Sequence, residues 1–256
     1  MPKLNLFVDE LGTASFNETY SKHYIVTSCF VNEFNRNELK IRADQIKFKY
    51  WGRTNIVFRS RDIGRKIGDF KIFQEEKLFK EFQKDLFEFL FEGNYSLFTI
   101  CLDKERAKNQ NWSSIKIYKE TARILIKNFI LSLIAKKTKG RIVVEASTDQ
   151  RDFSFYEATR FYLSSGLEDI GVPFDKIQEV LTEISFVTKK NFDIEEQIAD
   201  LSSYGAKLKI TKKKDLSDYD KNILNVVNAK LFKIHPKTGE RKKKFYSEIK
   251  SFVVLP

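Results

Sequence analysis

The chain has 256 residues, of which 42% are hydrophobic, so it can bury a large core and is not an intrinsically disordered chain. Its formal net charge of +11 favours polyanionic partners, with nucleic acid first among them. No apolar run reaches the roughly 18 residues of a membrane span. The two cysteines lie inside apolar runs, which predicts buried thiols in a cytoplasmic protein without a membrane segment.

The first third of the chain predicts three strands and then a helix. Residues 4–9 and 23–31 are rich in β-branched and aromatic residues, which is typical of strands. A charged stretch at 32–45 predicts a short helix, and residues 55–58 predict a third strand. From 75 to 91 the apolar residues recur at helical spacing, so we expect an amphipathic helix there.

The middle of the chain alternates between strands and helices. Residues 95–102 predict a buried strand, and a long helix is expected to run from about 114 to 137. The remaining predicted elements are a strand at 141–144, a helix at 153–163, a strand at 181–187 and a helix at 194–208. The order βββαβαβα predicts the α/β class, with a mixed sheet that is flanked by helices.

We expect residues 1–210 to form one domain and residues 211–256 to form a small basic extension that packs on it. The extension contains an apolar run at 223–231 and a polar turn at 235–239. A basic run at 241–244 follows, and it fits a nucleic-acid contact and a solvated turn about equally well. The closing segment, 249–256, predicts an edge strand.

Carboxylates stand at or just past the ends of the buried segments. Asp9 and Glu10 end the first strand, Asp103 and Glu145 end later strands, and Asp200 lies on the last predicted helix. Ligands of open sheets gather outside the carboxyl ends of the strands, so we expect a shared site. Converging carboxylates repel each other unless a divalent cation neutralises them, and oxygen ligands suit Mg²⁺ or Mn²⁺. Taken singly, each acid is more often a solvated cap or turn residue.

Short motifs along the chain resemble, in the right order, a bacterial family catalogued as domain of unknown function 3800. Asp9-Glu10-Leu11-Gly12 is similar to the opening Asp-Glu-Ser-Gly of that family, and Arg59-Ser60-Arg61-Asp62-Ile63 is similar to its His-Ser-Arg-Asp-Ile. Asp103-Lys104 matches an Asp-Lys pair after the following strand. The stretch from Glu145 to Asp152 keeps the spacing of Glu-Ser-x-x-x-x-x-Asp, and Gln197-Ile198-Ala199-Asp200-Leu201 is similar to Gln-Leu-Ala-Asp-Leu.

The resemblance implies a ribonuclease H-like fold and a divalent-metal-dependent nuclease or related phosphodiesterase that acts on DNA or RNA. Asp9 would bridge two Mg²⁺ or Mn²⁺ ions, and Glu145 and Asp200 would complete separate coordination spheres. Asp152 or Asp103 would add a ligand or a water-orienting base. Such ions supply a nucleophile and stabilise the leaving oxygen of a phosphodiester.

Other matched residues would support this site. Arg59 and Lys104 would contact substrate phosphate. Gln197 precedes Asp200 by three residues and shares its helical face, although the same spacing fits an ordinary packing helix. Alternation along the first strand points Glu10 away from the face of Asp9. The predicted supporting residues are therefore Glu10, Asp62 and Gln197.

Two positions depart from the family pattern. Leu11 replaces its serine, and Arg59 stands where the family commonly has histidine, so that Arg59 would hold a phosphate in place of a proton-transfer group. The alternative hypothesis is a non-catalytic module of the same fold that binds nucleic acid or protein. An accessory protein of a mobile-element or phage-defence system would be one example. The sequence leaves the oligomeric state open.

Overall fold

A computed structural model describes residues 3–18, 21–188, 191–234 and 244–256, which form a mixed six-stranded sheet that is flanked by helices. The strands are β1 (Leu4–Leu11), β2 (His23–Asn32), β3 (Ser96–Asp103), β4 (Gly140–Glu145), β5 (Leu181–Val187) and β6 (Phe252–Leu255). The helices are α1 (Glu33–Trp51), α2 (Ser60–Arg65), α3 (Glu76–Glu92), α4 (Lys104–Asn109), α5 (Ser114–Lys136), α6 (Asp149–Ser165), α7 (Phe174–Val180), α8 (Ile194–Thr211), α9 (Asp218–Lys230) and α10 (Lys244–Glu248), and 3-10 turns cover Gly68–Gln74 and Glu168–Ile170.

The strand order across the sheet is β5-β4-β1-β2-β3-β6. β2 is antiparallel to both of its neighbours, whereas β4 pairs in parallel with β1, β5 with β4 and β6 with β3. Every described strand except β2 therefore points the same way. The carboxyl ends of β1, β3, β4 and β5 meet at one edge of the sheet, which is where open α/β sheets place their ligands.

The alternation of side chains along β1 builds a core on both faces of the sheet. Leu6 and Val8 pack into a hydrophobic cluster that includes residues of α5 and α6, whereas Phe7 belongs to a second cluster with residues of α1, α3 and α8. Asp9 shares the face of Phe7, and Glu10 shares the face of Val8. The two neighbouring acids therefore point to opposite sides of the sheet, as alternation predicts.

The prediction of an α/β protein with a mixed sheet flanked by helices is confirmed. α3, α5, α6 and α8 lie where the apolar spacing predicts helices, and β6 is an edge strand beside β3. Cys29 and Cys101 are buried free thiols, as expected. None of the helices in the described ranges is long and apolar enough to cross a membrane.

The strand predicted at 55–58 is wrong. This backbone pairs with no other strand among the described residues, because the N–H of Phe58 donates to the Gln197 side chain at 2.9 Å instead. The helix predicted at 32–45 is longer than expected, since α1 continues to Trp51. It stops at Gly52, whose φ of 65° lies in the left-handed region that glycine tolerates. The chain therefore has two strands, then helices, before β3, and not three successive strands.

The C-terminal segment lies against the rest of the sheet and helices. α9 covers most of the apolar run predicted at 223–231 and contacts α8 and α3. β6 adds to the sheet in parallel beside β3, with Ile100 opposite Val253. The predicted turn at 235–239 and residues 241–243 of the basic run lie outside the described residues.

Candidate functional site

A cleft of about 280 Å³ opens at the carboxyl edge of the sheet, between the ends of β1 and β4, α8 and the segment that leads into α2. We call it the acidic cleft because most of its charged lining residues are acids. These are Asp9, Glu10, Asp62, Glu145, Asp193, Glu196 and Asp200, with Arg59 and Arg61 as the cations.

Two of these acids are brought together by strand register. β1 and β4 are parallel neighbours, and Val8 pairs with Val144. The next residue on each strand is an acid, so Asp9 and Glu145 stand side by side at the sheet edge. Asp9 also accepts a hydrogen bond from the backbone N–H of Glu10 at 2.7 Å, which holds its carboxylate close to the strand.

The other acids of the cleft come from α8. Glu196 and Asp200 are four residues apart and share one face of this helix. Asp200 Oδ2 accepts a hydrogen bond from the backbone N–H of Ser60 at 2.7 Å, and the Ser60 hydroxyl donates to the Asp200 carbonyl at 3.3 Å. The turn into α2 is thereby fixed against the middle of α8.

Glu196 is the most perturbed acid of the cleft. Glu196 is only 5% exposed, and its Oε1 atom is buried with no hydrogen-bond partner among the described residues. Burial, together with the negative charges of Asp193, Glu145 and Asp9, raises the pKa of Glu196 from 4.5 to about 8. Glu196 therefore carries a proton near neutral pH unless a cation compensates it.

The pKa of Asp200 is also raised. Burial raises the pKa of Asp200, the hydrogen bonds from Ser60 lower it, the charge of Glu145 raises it and the charge of Arg59 lowers it. The charge of Glu145 thus acts on both Glu196 and Asp200. The cleft is an electrostatically coupled group of acids, with Arg59 at its rim.

The acidic residues of the cleft are of the kind that binds a divalent cation, but their side chains are not positioned to coordinate one. No three His, Cys, Asp or Glu side chains in the described part of the chain are arranged so that they could hold a metal ion as they stand. Carboxylate oxygens are nevertheless the ligands that Mg²⁺ and Mn²⁺ prefer, and the orphaned Oε1 of Glu196 belongs to the same cleft. Binding would require these carboxylates to rotate toward one another.

Two of the predicted site residues have other roles. The described residues that line the acidic cleft do not include Asp103 or Lys104. Asp103 caps α4, accepting hydrogen bonds from the backbone N–H groups of Glu105 at 3.0 Å and Arg106 at 3.2 Å. Lys104 is buried, and its Nζ donates to the carbonyl of Glu18 at 2.7 Å. Lys104 is therefore tied to the loop before β2 and is not presented to a substrate.

Asp152 and the carboxylate of Glu10 are held by Arg151 on the opposite face of the sheet. The Arg151 guanidinium lies 3.1 Å from Glu10 and 3.0 Å from Asp152, and it donates to the carbonyl of Glu145. Glu10 also accepts from the hydroxyl of Tyr24 at 2.8 Å. We call this group the Arg151 cluster. It ties the ends of β1 and β4 to the first turn of α6.

Gln197 joins the two walls of the acidic cleft and does not hydrogen-bond the Asp200 carboxylate. Its Oε1 accepts from the N–H of Phe58 at 2.9 Å, and its Nε2 donates to the carbonyl of Phe192 at 3.2 Å. Of the other predicted residues, Arg59 and Asp62 line the cleft. Gln197 therefore supports the walls of the cleft and not the Asp200 carboxylate.

Sequence reasoning missed Glu196 and Arg151. Glu196 precedes Asp200 by four residues, so the spacing of acids on a helical face was a signal that could have found it. Arg151 had no such signal, because its role depends on contacts with Glu10 and with the carbonyl of Glu145.

Comparisons of this chain with protein-family models, with curated proteins and with solved structures find no match. The resemblance carried by the short motifs therefore stays a prediction.

Proposed function

We propose that this chain is a divalent-metal-dependent nuclease or related phosphodiesterase, and that Asp9, Glu145, Glu196 and Asp200 form its ligand set for Mg²⁺ or Mn²⁺. The observation that carries the proposal is Glu196. A buried carboxyl oxygen without a hydrogen bond beside other acids destabilises the fold, and a bound divalent cation would offset that cost. The ligand set replaces Asp103 and Asp152, which are held elsewhere, with Glu196.

The arrangement of the sheet supports a ribonuclease H-like fold for this proposal. Three antiparallel strands, β1, β2 and β3, are joined by two parallel strands, β4 and β5, on the other side of β1. The acids sit at the carboxyl ends of β1 and β4 and on α8, which packs across β1, β2 and β3. This is the placement that the motif resemblance leads us to expect.

Divalent ions in such a site supply a water nucleophile at neutral pH and stabilise the leaving oxygen. The chain's own residues supply the rest. Arg59 and Arg61 line the rim and would hold the phosphate, since a guanidinium matches phosphate in a bidentate fashion. Gln197 holds the two walls at a fixed separation.

Cleavage assays with the purified protein test the proposal. We expect Mn²⁺-dependent cleavage of single- or double-stranded DNA or RNA, reduced at least about a hundredfold by Asp9→Asn and by Asp200→Asn because each removes a negative ligand. The matched control is Asp103→Asn, which changes an acid at another strand end. Asparagine caps helices as well as aspartate does, so α4 is kept and full activity is expected.

The opposite outcomes are equally clear. If the wild-type protein cleaves none of these substrates, or if Asp9→Asn and Asp200→Asn cleave as fast as it does, the nuclease proposal is wrong. The second candidate is then the non-catalytic binding module. It is favoured by one observation, namely that no three acids within the described ranges are arranged to hold a metal. Such a module would bind nucleic acid equally well with and without Mn²⁺.

A further inference from the structure

A second cleft, of about 1240 Å³, opens beside the acidic cleft. Its walls are α2 and α3 on one side and the end of α8 and start of α9 on the other. Leu11 and Arg61 line both clefts, so the two are continuous. We call the second cleft the basic groove, and its cationic lining residues are Arg61, Arg65, Lys66, Lys80, Lys207 and Lys213.

Part of this positive charge is neutralised inside the groove. Lys66 and Lys80 lie 3.8 Å and 3.7 Å from Glu76, and Lys213 lies 2.8 Å from Asp220. Three of the six cations are therefore used to balance acids of the groove itself, and they are poor candidates for contacting a ligand.

The other three cations of the described groove lining, Arg61, Arg65 and Lys207, are free to contact a ligand. Among the described residues, no carboxylate oxygen lies within 4.0 Å of Arg61, Arg65 or Lys207. Asp215 is the one lining acid of the groove without an ion pair in the same part of the chain. The groove therefore keeps an excess of positive charge, and this charge leads directly into the acidic cleft.

An exposed aromatic ring stands on the other side of the acidic cleft. Phe192 lines that cleft and is 48% exposed. Its φ of 58° lies in the left-handed region, which is strained for a residue other than glycine. The Gln197 side chain donates to its carbonyl and holds it in this conformation. A strained, half-exposed phenylalanine beside a charged cleft is suited to stacking against a flat ring.

We infer that the substrate is single-stranded nucleic acid, whose phosphates lie along Arg61, Arg65 and Lys207 and one of whose bases stacks on Phe192. The inference rests on the proposed function, because the acidic cleft between these two surfaces would receive the phosphodiester. Single strands are bound elsewhere by the same combination of a basic groove and aromatic faces. Paired bases in a duplex stack on one another, so they offer Phe192 no free face.

Fluorescence anisotropy in EDTA tests the inference without requiring cleavage. The probes are labelled DNA and RNA strands of about 12 nucleotides and the duplexes made from them. We expect at least one of the single strands to bind about tenfold or more tightly than its duplex. Arg65→Ala combined with Lys207→Ala should weaken that binding about tenfold. The slope of log K against log salt concentration should become shallower by about 1.4, because each phosphate contact with a single strand contributes about 0.7.

The stacking contact has its own test. Phe192→Ala should weaken single-strand binding by about fivefold to a hundredfold, the range of one base stacked on an aromatic ring, whereas Phe192→Tyr should retain it. The matched control is Phe34→Ala, which removes a ring that is 77% exposed on α1 and should leave binding unchanged.

A second control separates the groove from net charge. Lys108→Ala combined with Arg160→Ala removes the same two charges from exposed positions on α4 and α6 and should leave binding unchanged. The inference is wrong if both double variants weaken binding equally, if the duplexes bind as tightly as the single strands, or if the wild-type protein binds neither. Far-UV circular dichroism and Tm establish that each variant is folded.

Failure of this inference and failure of the proposed function give different results. If single strands bind through Arg65, Lys207 and Phe192 but Mn²⁺ produces no cleavage, the nuclease proposal fails and the binding surface stands. If cleavage depends on Asp9 but all these variants bind and cleave like the wild-type protein, the inference fails alone.

Discussion

Glu196 shows how a single side chain can report on function. The buried Glu196 carboxyl group ionises near pH 8 in the folded state and at about 4.5 in the unfolded chain. Above pH 4.5 this difference lowers the stability of the folded state. Between these two pH values the native state binds more protons, so the free energy of unfolding falls as the pH rises. A cost of this kind is typical of functional sites, where stability is given up for binding or catalysis.

Glu196→Gln should therefore have two opposite effects. In EDTA at pH 8.5 we expect it to raise the free energy of unfolding by roughly 2 kcal/mol, because it removes a buried charge. In Mn²⁺ it should bind the ion weakly and cleave poorly. Urea unfolding with and without Mn²⁺ measures both effects. A variant that is less stable in EDTA, or that still binds Mn²⁺ like the wild-type protein, would contradict our assignment.

Arg151 has the opposite character, since it is a buried charge that is compensated. It is 1% exposed and lies within 3.1 Å of Glu10 and 3.0 Å of Asp152. We expect Arg151→Met to lower the free energy of unfolding by about 3–5 kcal/mol, because it leaves the partly buried carboxylates of Glu10 and Asp152 without their shared cation. Adding Glu10→Gln should recover part of the loss, which a double-mutant cycle measures. Arg160→Met, an exposed change on the same helix, is the control and should cost little.

At the scale of elements, α8 and α1 each bury an ionisable side chain, an acid on α8 and a lysine on α1. α8 carries Glu196, Gln197 and Asp200 on the side that meets the sheet edge, so one helix holds two of the proposed metal ligands and a wall contact of the cleft. α1 buries a lysine instead. Lys47 is 2% exposed, and its Nζ lies 5.0 Å from the centre of the Phe58 ring. Burial lowers the pKa of Lys47 from 10.5 to about 8.

Because burial lowers the pKa of Lys47, the free energy of unfolding depends on pH. Below pH 8 the amine is charged in both states, and the folded state bears the full cost of burying it. Between pH 8 and 10.5 the folded state loses the proton first, so the unfolded state binds more protons and the free energy of unfolding rises with pH.

Lys47→Met should therefore raise the free energy of unfolding at pH 7 by about 2 kcal/mol and remove this rise between pH 8 and 10.5. Urea unfolding at both pH limits, compared with the wild-type protein, measures it. Lys84→Met changes an exposed lysine on α3 and should leave the pH dependence as it is. An unchanged slope in Lys47→Met would mean that Lys47 does not lose its proton in this range.

At the scale of the whole molecule, a protein of net charge +11 concentrates a group of acids at one edge of its sheet. The overall field favours a polyanion, and in our proposal the basic groove beside the acidic cleft would bind it. The acidic cleft itself repels phosphate unless a cation neutralises it. We therefore expect Mn²⁺ to strengthen the binding that the basic groove already provides in EDTA.

Mn²⁺ should stabilise the folded protein as a whole. At a concentration one hundred times its Kd, an ion that binds only the folded state adds about 2.7 kcal/mol. For a chain of this size we expect a rise in Tm of roughly 5–10 °C in a thermal-shift measurement. Asp9→Asn and Asp200→Asn should lose the shift, and Asp103→Asn should keep it. A Tm that Mn²⁺ does not change, or that rises equally in Asp9→Asn, would argue against a metal site in the acidic cleft.

Much of the fold follows from local patterns in the sequence. α3, α5 and α8 are apolar on one face at helical spacing, and β1 and β2 are apolar runs with β-branched and aromatic residues, so their positions could be predicted. The acids at the ends of β1 and β4 were visible for the same reason, since a strand ends where its apolar run meets charge. Their meeting in one cleft required only that the two strands be parallel neighbours.

Other features depend on contacts between segments that are far apart in the chain, and only the tertiary structure decided them. The segment at 55–58 has the composition of a strand, yet Phe58 donates its N–H to Gln197, 139 residues away, and so it lines the acidic cleft. Asp103 ends a strand as Asp9 does, but the helix that starts next to it takes its carboxylate as a cap. Glu196 belongs to the site because α8 packs across the sheet and buries it there. Composition and periodicity therefore determined the elements and their acids, whereas packing decided which acids share a cleft, because burial and hydrogen-bond partners are properties of the folded chain alone.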